Sequence, residues 1–437
     1  MPEQSLRSFR IVCEKKFIPL VEALLTEQGY GFEPEPFSPF CRRLVREPRP
    51  LGGSLAAFFG YVYIQDRSSM LPPAALAPKE GEAVLDMCAS PGSKTSFLAQ
   101  LSGPEGFVLG NEPTPSRLAT LRGNLHRLNL LNAATCSYPG ESLPLAPGSW
   151  PAIQLDPPCS GWGTAEKNPR VMRLWRGDKL KRLIGLQRKL LARAAELLKP
   201  GGRVVYSTCT TNQAENEAQV AFAEQELGLK RVPLDPFEGF SWQELPGGEG
   251  TLRVDGERSR AQGFYLALLK KAGETSIAIP SPEAADVSDA HASKHSGGHA
   301  QRRDAVGRVL TAEALAGPCC DPDLLPAGKA ALFGDEIHFL PAAARALLPD
   351  GFVWRGPLLG RPGGGRMTVD TRLRALLPRV PAEGTALVLD DVSDVSDLLA
   401  GRSRQTNLAG GEAALWWRDL PLGRLVLKQG RAIASFK

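Results

Sequence analysis

The stretch VLDMCASPGSKTSF, at positions 84–97, decides the fold around it. An apolar run ends at an acid, Asp86, and a turn of small residues then leads into a helical pattern. Small residues let a ligand approach the backbone, and the first amides of a helix attract a carboxylate or a phosphate. The stretch therefore predicts a strand, a ligand-binding turn and a helix.

The Gly-Ser-Lys-Thr sequence inside this turn invites comparison with the phosphate-binding loop of nucleoside triphosphatases. That loop needs glycine directly before the lysine and a further glycine upstream, and this chain has neither. The sequence therefore disfavours a nucleoside triphosphatase.

The alternation of strand and helix patterns extends from about residue 72 to residue 272. Buried parallel strands are predicted at four short apolar runs, 82–87, 106–112, 151–157 and 202–208. Helical patterns separate these runs at 93–101, 116–129 and 183–202. The last pattern ends in Pro-Gly-Gly, which stops a helix before a strand. Such alternation predicts a Rossmann-like, doubly wound α/β sheet that binds its ligands beyond the carboxyl ends of its strands.

Smaller units are predicted on either side of this α/β domain, which we assign to residues 71–272. Residues 1–70 combine strand-like runs with one helical pattern and predict a small α+β cap. Residues 273–306 are rich in Ser, Ala, Gly and charge and have no sustained apolar period, which is typical of a flexible linker. Residues 307–437 mix short strand-like runs with Gly-Pro turns and predict a β-rich module.

The length of 437 residues suggests two or three domains at roughly 150 residues each. The apolar stretches are far shorter than the ~20 residues that span a bilayer, and MPEQSLRSFR lacks the apolar core of a signal peptide. We therefore expect a cytoplasmic protein with no membrane partner.

The eight cysteines contain no CxxC pair, which disfavours a zinc ribbon and makes reduced thiols the expectation. Three histidines, His291, His295 and His299, are spaced for one helix face. Ser-Gly-Gly interrupts that helix, and no acid or cysteine is placed to complete a site. We therefore predict no metal centre.

Positive charge is concentrated between Lys167 and Arg193, where ten Lys or Arg residues accompany a single acid, Asp178. The net charge of the whole chain is only +5. A basic run beside candidate chemistry favours a polyanionic partner such as RNA. The alternative is a solvated helix face.

The second predicted strand also ends in an acid, Glu112. Glu112 follows Gly92 by twenty residues. Doubly wound folds place at this point the carboxylate that holds ribose hydroxyls. Together with the turn at 88–94, Glu112 indicates an adenosine-containing cofactor. The turn considered alone could be a tight connection.

The segment LDPPCSGWG, at 155–163, ends the third predicted strand with Asp156, two prolines and Cys159. Asp-Pro-Pro turns at strand ends resemble those with which nucleotide-modifying methyltransferases grip a planar base. If Asp156 is partly desolvated, its pKa rises and it can share a proton with the base. Cys159 considered alone could be a small buried hydrophobic residue.

Cys209 ends the fourth predicted strand in VVYSTCTTNQAENEAQV, at 204–220. We predict a helix directly after it, with Thr210, Thr211 and Asn212 as candidate caps. A helix amino terminus and nearby cations lower the pKa of a thiol and make it nucleophilic. A thiol and a carboxylic acid together suit cytosine, whose C5 becomes nucleophilic only after a thiolate adds to C6. One thiol would attack and the other would assist release, and the residues alone leave open which does which.

Five segments resemble, in this order and spacing, the RNA 5-cytosine methyltransferases of the NOL/NOP/Sun class: DMCASPGSKT, NEPTPSR, DPPCSG, LLKPGG and YSTCTTNQAENE. With YVYIQDRSSMLP upstream and DLPLGRLVLKQGR near the end, the chain is most similar to the bacterial RsmF branch, which acts on small-subunit ribosomal RNA. The resemblance implies an S-adenosylmethionine-dependent enzyme with a PUA-like RNA-binding module at 307–437 and an RNA-binding cap at 1–70.

The resemblance also implies roles for individual residues. Cys209 would be the nucleophile, Cys159 the thiol that assists release, and Asp156 the acid that contacts the base. The residues expected to hold S-adenosylmethionine are Cys88, Ala89, Ser90, Pro91, Gly92, Ser93, Lys94, Glu112 and Asp156.

The chain departs from the family pattern ahead of the base-binding strand. The family usually has Asp-Gly there, with the acid on the adenine, whereas this chain has SYPGES with Tyr138 or Pro139 at that place. This departure motivates one alternative, a ribosome-assembly protein that binds RNA without turnover. A transfer RNA methyltransferase, which would share every catalytic residue, is another alternative. The oligomeric state is not predicted.

Overall fold

The computed structural model describes residues 7–165, 170–273, 308–311, 319–363 and 366–436. The predicted linker at 273–306 lies outside the described residues from position 274 onward. The strands within the described ranges form four sheets. None of the helices in these ranges is long and apolar enough to cross a membrane.

The first sheet belongs to the amino-terminal residues. Its region contains β1 (Ser8–Ile11), α1 (Ile18–Glu27), β2 (Gly31–Pro34), β3 (Cys41–Arg46), α2 (Leu55–Phe58) and β4 (Val62–Ile64). The strands pair antiparallel in the order β2-β3-β1-β4. Helix α1 buries Val21, Leu24 and Leu25, which recur at helical spacing and so face one core.

The central sheet carries the candidate site. Its region contains α3 (Leu71–Leu76), β5 (Ala83–Asp86), α4 (Ser93–Leu101), β6 (Phe107–Asn111), α5 (Pro115–Arg127), β7 (Ala133–Cys136), β8 (Trp150–Leu155), α6 (Val171–Leu174), α7 (Asp178–Leu197), β9 (Leu198–Thr208), α8 (Glu217–Glu226), β10 (Leu229–Val232), β11 (Leu252–Val254), α9 (Gly256–Ser259) and β12 (Phe264–Lys271). The four predicted strands correspond to β5, β6, β8 and β9.

Five strands of this sheet are parallel and lie side by side in the order β7-β6-β5-β8-β9. The chain order reverses between β5 and β8, which is the topological switch point where doubly wound sheets bind ligands. All residues of β6 and β8 are buried, as expected for parallel strands covered on both faces. The predicted Rossmann-like α/β fold is confirmed.

The Pro-Gly-Gly sequence does not separate helix from strand as predicted. Helix α7 ends at Leu197 and β9 begins at the next residue, so Pro200, Gly201 and Gly202 lie within the strand. Pairing with β8 shifts register at this point. A Cβ atom on Gly202 would lie 3.1 Å from two carbonyl oxygens of β8, so glycine permits the close approach of the two strands.

The carboxyl-terminal region is β-rich. It contains β13 (Arg308–Val309), β14 (Gly328–Phe333), β15 (Glu336–Pro341), α10 (Ala342–Leu347), β16 (Trp354–Arg355), β17 (Leu358–Gly363), β18 (Arg366–Val369), β19 (Ala386–Leu389), α11 (Val392–Leu399), β20 (Arg404–Gln405), β21 (Glu412–Trp417), β22 (Leu420–Lys428) and β23 (Arg431–Ala434). Two five-stranded sheets result, in the orders β13-β14-β15-β17-β18 and β19-β21-β22-β23-β20. Strand β16 instead pairs antiparallel with β7 and extends the central sheet.

The two ends of the chain share one hydrophobic core. Buried residues of the first sheet region, such as Phe9 and Leu25, belong to the same cluster as Trp417 and Leu422. Arg374 joins them by donating hydrogen bonds to the carbonyls of Phe59 and Gly60. The sequence patterns do not predict this packing, because each pattern reports only its own element.

Candidate active site

Two thiols fifty residues apart in sequence meet at the carboxyl edge of the central sheet. Cys159 follows β8 and Cys209 follows β9, and because these strands are neighbours the two Sγ atoms lie 3.4 Å apart in hydrogen-bond contact. The backbone N–H of Gly163 donates to the carbonyl of Cys209 at 3.0 Å and ties the two loops together. All eight cysteines are free thiols.

The two thiols have opposite acidities. A hydrogen bond from Cys159 lowers the pKa of Cys209, and the Lys94 ammonium contributes to the lowering although burial opposes it. The same hydrogen bond, together with burial, raises the pKa of Cys159 well above its usual value. These directions favour Cys209 over Cys159 as the thiol that ionises, and the thiolate is the nucleophilic form of a cysteine.

The helix after Cys209 is not the cause of this shift. Asn212 caps a short 3₁₀ turn by accepting from the N–H of Ala214, and α8 begins only at Glu217. The prediction that a helix amino terminus lies directly beside Cys209 is wrong. Thr210 and Thr211 also do not cap α8, whose N-cap residue is Asn216.

Asp156 forms an ion pair that the sequence analysis does not predict. Its Oδ2 atom lies 2.7 Å from Nζ of Lys94, and its Oδ1 atom accepts a hydrogen bond from Ser207 at 3.1 Å. Burial disfavours the Lys94 ammonium, but Asp156, with smaller contributions from Asp86 and Cys209, outweighs burial and raises the pKa of Lys94. Lys94, predicted as part of the cofactor turn, thus points toward Asp156 and contributes to the electrostatics of Cys209.

The turn from Cys88 to Lys94 joins β5 to α4 as predicted. Asp86 accepts from the hydroxyl of Thr95 at 2.6 Å, and burial raises the pKa of Asp86 to about 6. Gly92 has φ +104°, and a Cβ atom there would lie 3.0 Å from Leu121, so the turn depends on glycine.

Glu112 lies directly after β6 and is almost completely buried. Its carboxylate accepts from the N–H of Thr114 at 2.9 Å and pairs with Arg117 at 3.3 Å. A carboxylate has about four acceptor positions, so two remain for ribose hydroxyls. The donor and acceptor set of this edge therefore fits an adenosine-containing cofactor.

Comparison with known proteins supports this geometry. Residues 73–270 match the family described as 16S rRNA methyltransferase RsmB/F. A solved methyltransferase homolog from Pyrococcus horikoshii is 33% identical in sequence, with a TM-score of 0.52, and the match covers 61% of this chain and 86% of that one. Over residues 73–270, the chain belongs to the RsmB/F family.

Two curated relatives extend the comparison. Ribosomal RNA small subunit methyltransferase F of Salmonella paratyphi B is 35% identical over 285 residues, which are 63% of this chain and 59% of the relative. A mouse 28S rRNA (cytosine-C(5))-methyltransferase is 37% identical over 246 residues, 54% of this chain and 31% of the relative. This RsmB/F family member thus spans about three fifths of the length of the Salmonella relative. The resemblance to NOL/NOP/Sun enzymes that the motifs predict is confirmed.

Tyr138 is one of two residues, with Pro139, at the place where the resemblance predicts an acid. Asn111 accepts from the N–H of Tyr138 and donates to its carbonyl, each at 3.0 Å. The ring of Tyr138 stacks on Phe352 with 4.9 Å between ring centroids, and its hydroxyl accepts from the N–H of Val353. Residues of the carboxyl-terminal region therefore hold the side chain of Tyr138 in place. No local sequence pattern indicates this contact.

The basic run lies largely on the surface of α6 and α7, while Lys167 lies outside the described residues. Eight of its side chains are exposed, namely Arg170, Arg173, Arg176, Lys179, Lys181, Arg182, Arg188 and Lys189. Arg193 instead donates to the carbonyls of Leu143 and Leu145 and serves the fold. Trp162 and Trp175 are half-buried. No group of three or more metal-ligating side chains is found in the part of the chain that the structure describes.

Proposed function

We propose that this RsmB/F family member is an S-adenosylmethionine-dependent methyltransferase that methylates C5 of a cytosine in RNA. The observation that carries the proposal is the thiol pair itself: Cys159 follows β8 and Cys209 follows the neighbouring β9, and their Sγ atoms lie 3.4 Å apart. Membership of a family of RNA methyltransferases supports the same reaction.

The proposed mechanism assigns one task to each group. The Cys209 thiolate attacks C6 of the cytosine and forms an S–C6 bond, which makes C5 nucleophilic. Asp156 meets the ring nitrogen, and the Lys94 ammonium paired with Asp156 supplies the proton that compensates the negative charge developing there. After methyl transfer, the C5 proton passes to water, its electron pair forms the C5=C6 double bond, and the electron pair of the S–C6 bond returns to Cys209. The Cys159 thiol assists this release by donating a hydrogen bond to the departing Cys209 thiolate.

S-adenosylmethionine, when bound, supplies the methyl group. The turn from Cys88 to Lys94 offers backbone amides and small side chains to it, and Glu112 offers acceptors for its ribose hydroxyls. Asp86 lies buried beneath this turn and fixes its shape through Thr95.

We propose small-subunit ribosomal RNA as the substrate, supported by the names of the family and of the Salmonella relative. The exposed basic residues of α6 and α7 would contact the phosphate backbone. In this proposal the cap at 1–70 and a PUA-like module at 307–437 bind RNA on either side of the domain at 71–272, and the enzyme acts in the cytoplasm.

Methyl transfer to purified RNA, followed by bisulfite mapping, tests the proposal. We expect one cytosine of the small-subunit ribosomal RNA or of the ribosomal subunit to be methylated. Methylation of a transfer RNA alone would keep the reaction and change the substrate. Absence of S-adenosylmethionine binding together with absence of methylation of any RNA would favour the RNA-binding assembly protein. That second candidate is motivated by Tyr138 or Pro139 standing where the resemblance implies an adenine-contacting acid.

A further inference from the structure

The mechanism does not use the buried carboxylate of Glu215. Its side chain is completely buried in the short turn between Cys209 and α8. Four uncharged donor groups surround its two oxygens: the N–H and the hydroxyl of Ser160, the side-chain amide of Gln187 and that of Asn212. A buried charge with so many donors is held in a single position.

Two of these donors come from the residue directly after Cys159. The N–H of Ser160 donates to Oε1 of Glu215 at 2.9 Å, and the Ser160 hydroxyl donates to Oε2. A third donor, the amide of Gln187, also donates to the carbonyl of Pro158, the residue before Cys159. Glu215 therefore fixes the Cys159 loop on both sides of its thiol.

The same network reaches the residue directly after Cys209. The hydroxyls of Ser160 and Thr210 lie 2.7 Å apart. A hydroxyl has one hydrogen, and because Ser160 gives its hydrogen to Glu215, Thr210 must donate to Ser160. A continuous chain of hydrogen bonds thus runs from Thr210 through Ser160 to Glu215.

We propose that Glu215 is a positioning residue that sets the separation of the two thiols. It touches neither sulfur and acts through Ser160 and Thr210, which follow the two cysteines. This inference deepens the proposed function and rests on it for its catalytic meaning. The geometric part, control of the distance between the sulfurs, is measurable without any methyl transfer.

The test uses the full-length protein and the oxidant diamide. Two thiols lose two electrons and two protons as an S–S bond forms, and the N=N bond of diamide takes them up. A disulfide needs its sulfur atoms at about 2.05 Å, so a pair held at 3.4 Å closes with little movement. Peptide mapping by mass spectrometry gives the rate at which Cys159 and Cys209 become linked.

The variant is Glu215→Gln, and the matched control is Glu217→Gln. Glu217 is two residues away and pairs with Arg253, but it contacts neither cysteine loop. Glutamine places an N–H group against donors that need an acceptor. We expect linkage of Cys159 to Cys209 to slow at least tenfold in Glu215→Gln and to stay within twofold of the original rate in Glu217→Gln.

Ser160→Ala provides a second measurement in case Glu215→Gln does not fold. It removes only the hydroxyl that joins Thr210 to Glu215, and we expect linkage to slow by about threefold. A folded Glu215→Gln protein, or a folded Ser160→Ala protein, that links the two cysteines at the original rate would overturn the inference.

Methyl transfer supplies the catalytic readout. We expect Glu215→Gln to lower kcat about tenfold with an unchanged KM for RNA, and Glu215→Asp to restore part of kcat because it keeps the carboxylate. If the original protein methylates no RNA but the oxidation rates differ as expected, the proposed function fails and the positioning role stands. If methylation occurs and kcat is unchanged in Glu215→Gln, the positioning role fails alone.

Discussion

The thiol pair and the cofactor edge lie on the same rim of the central sheet, but they are held in different ways. Cys159 and Cys209 follow neighbouring strands, and the groups that orient them come from the central sheet region itself. At the cofactor edge, Tyr138 is held by Phe352 and Val353, and β16 pairs with β7. The thiol pair is thus positioned by residues of the central sheet region alone, whereas the cofactor edge is also held by residues of the carboxyl-terminal region.

The sharpest test of the thiol pair is Cys209→Ala. We expect methyl transfer to fall by about a thousandfold or more, because the uncatalysed C5 carbon is a poor nucleophile. The measurement is transfer of a labelled methyl group to RNA. Cys13→Ala, which changes a half-buried thiol far from the rim in sequence, serves as the control and should keep its activity. An active Cys209→Ala enzyme would remove the covalent mechanism.

Cys159→Ala should separate attack from release. Cys209 loses the hydrogen bond that lowers its pKa and therefore forms its bond to C6 more slowly. Release loses the neighbouring thiol and slows further, so we expect turnover to drop about a hundredfold and a covalent protein–RNA adduct to accumulate. The adduct is read on a denaturing gel after incubation with cofactor and RNA. A double variant that also carries Cys209→Ala should give none. Absence of any adduct from Cys159→Ala would leave that thiol without the proposed role.

Lys94→Met tests the electrostatics of the pair. The Lys94 ammonium helps to lower the pKa of Cys209, so its loss should raise that pKa. A raised pKa means less thiolate at neutral pH, and the rise of activity with pH should therefore move to higher pH. A shift of one pKa unit would reduce the rate near pH 7 by about tenfold. Alkylation of Cys209 by iodoacetamide over a pH series measures the shift directly, with Cys13 as the internal reference. An unchanged alkylation profile would mean that Lys94 pairs with Asp156 without affecting the pKa of Cys209.

Tyr138→Ala tests the cofactor edge in the same way. Losing a stacked aromatic pair costs about 1 kcal/mol, which corresponds to about a fivefold weaker Kd if the stack holds the segment beside Glu112. Calorimetric titration with S-adenosylmethionine provides the measurement. Tyr138→Phe keeps the stack and should bind almost normally. Alkylation of Cys209 should be unchanged in both variants, and a change there would contradict the separation of the two regions.

The contrast also explains what the sequence could predict. Strands, helices and the turn at Cys88 to Lys94 follow from local patterns, because apolar runs and glycine turns act over a few residues. The Lys94–Asp156 pair depends on β5 lying beside β8, and the contact of Cys159 with Cys209 depends on β8 lying beside β9. Strand order is a tertiary property. Local patterns therefore predict that these residues lie at the carboxyl ends of strands, but not which of them are in contact.

Local sequence patterns cannot predict packing between residues that are far apart in the sequence. Nothing near Tyr138 indicates Phe352, which follows more than two hundred residues later. Similarly, Glu215 belongs to a family motif, but its four donors come from three separate segments. The helix expected directly after Cys209 failed because Asn212 caps a short turn first, and local capping signals do not determine how long the capped element is.

Charge reversals in the basic run should have the smallest effect of these variants, and they test RNA binding rather than the thiol pair or the cofactor edge. Lys179 and Arg182 are exposed on α7, and we expect Lys179→Glu combined with Arg182→Glu to weaken RNA binding about threefold at moderate salt. Each lost phosphate contact on a single strand should reduce the slope of log K against log salt by about 0.7. Lys230→Glu reverses an exposed charge on β10, away from the basic run in sequence, and should leave the slope unchanged. Cofactor affinity and Cys209 alkylation should not move in the double variant, because neither region of the rim uses these charges. An unchanged salt slope would assign the run to a solvated helix face and leave RNA binding to other parts of the chain.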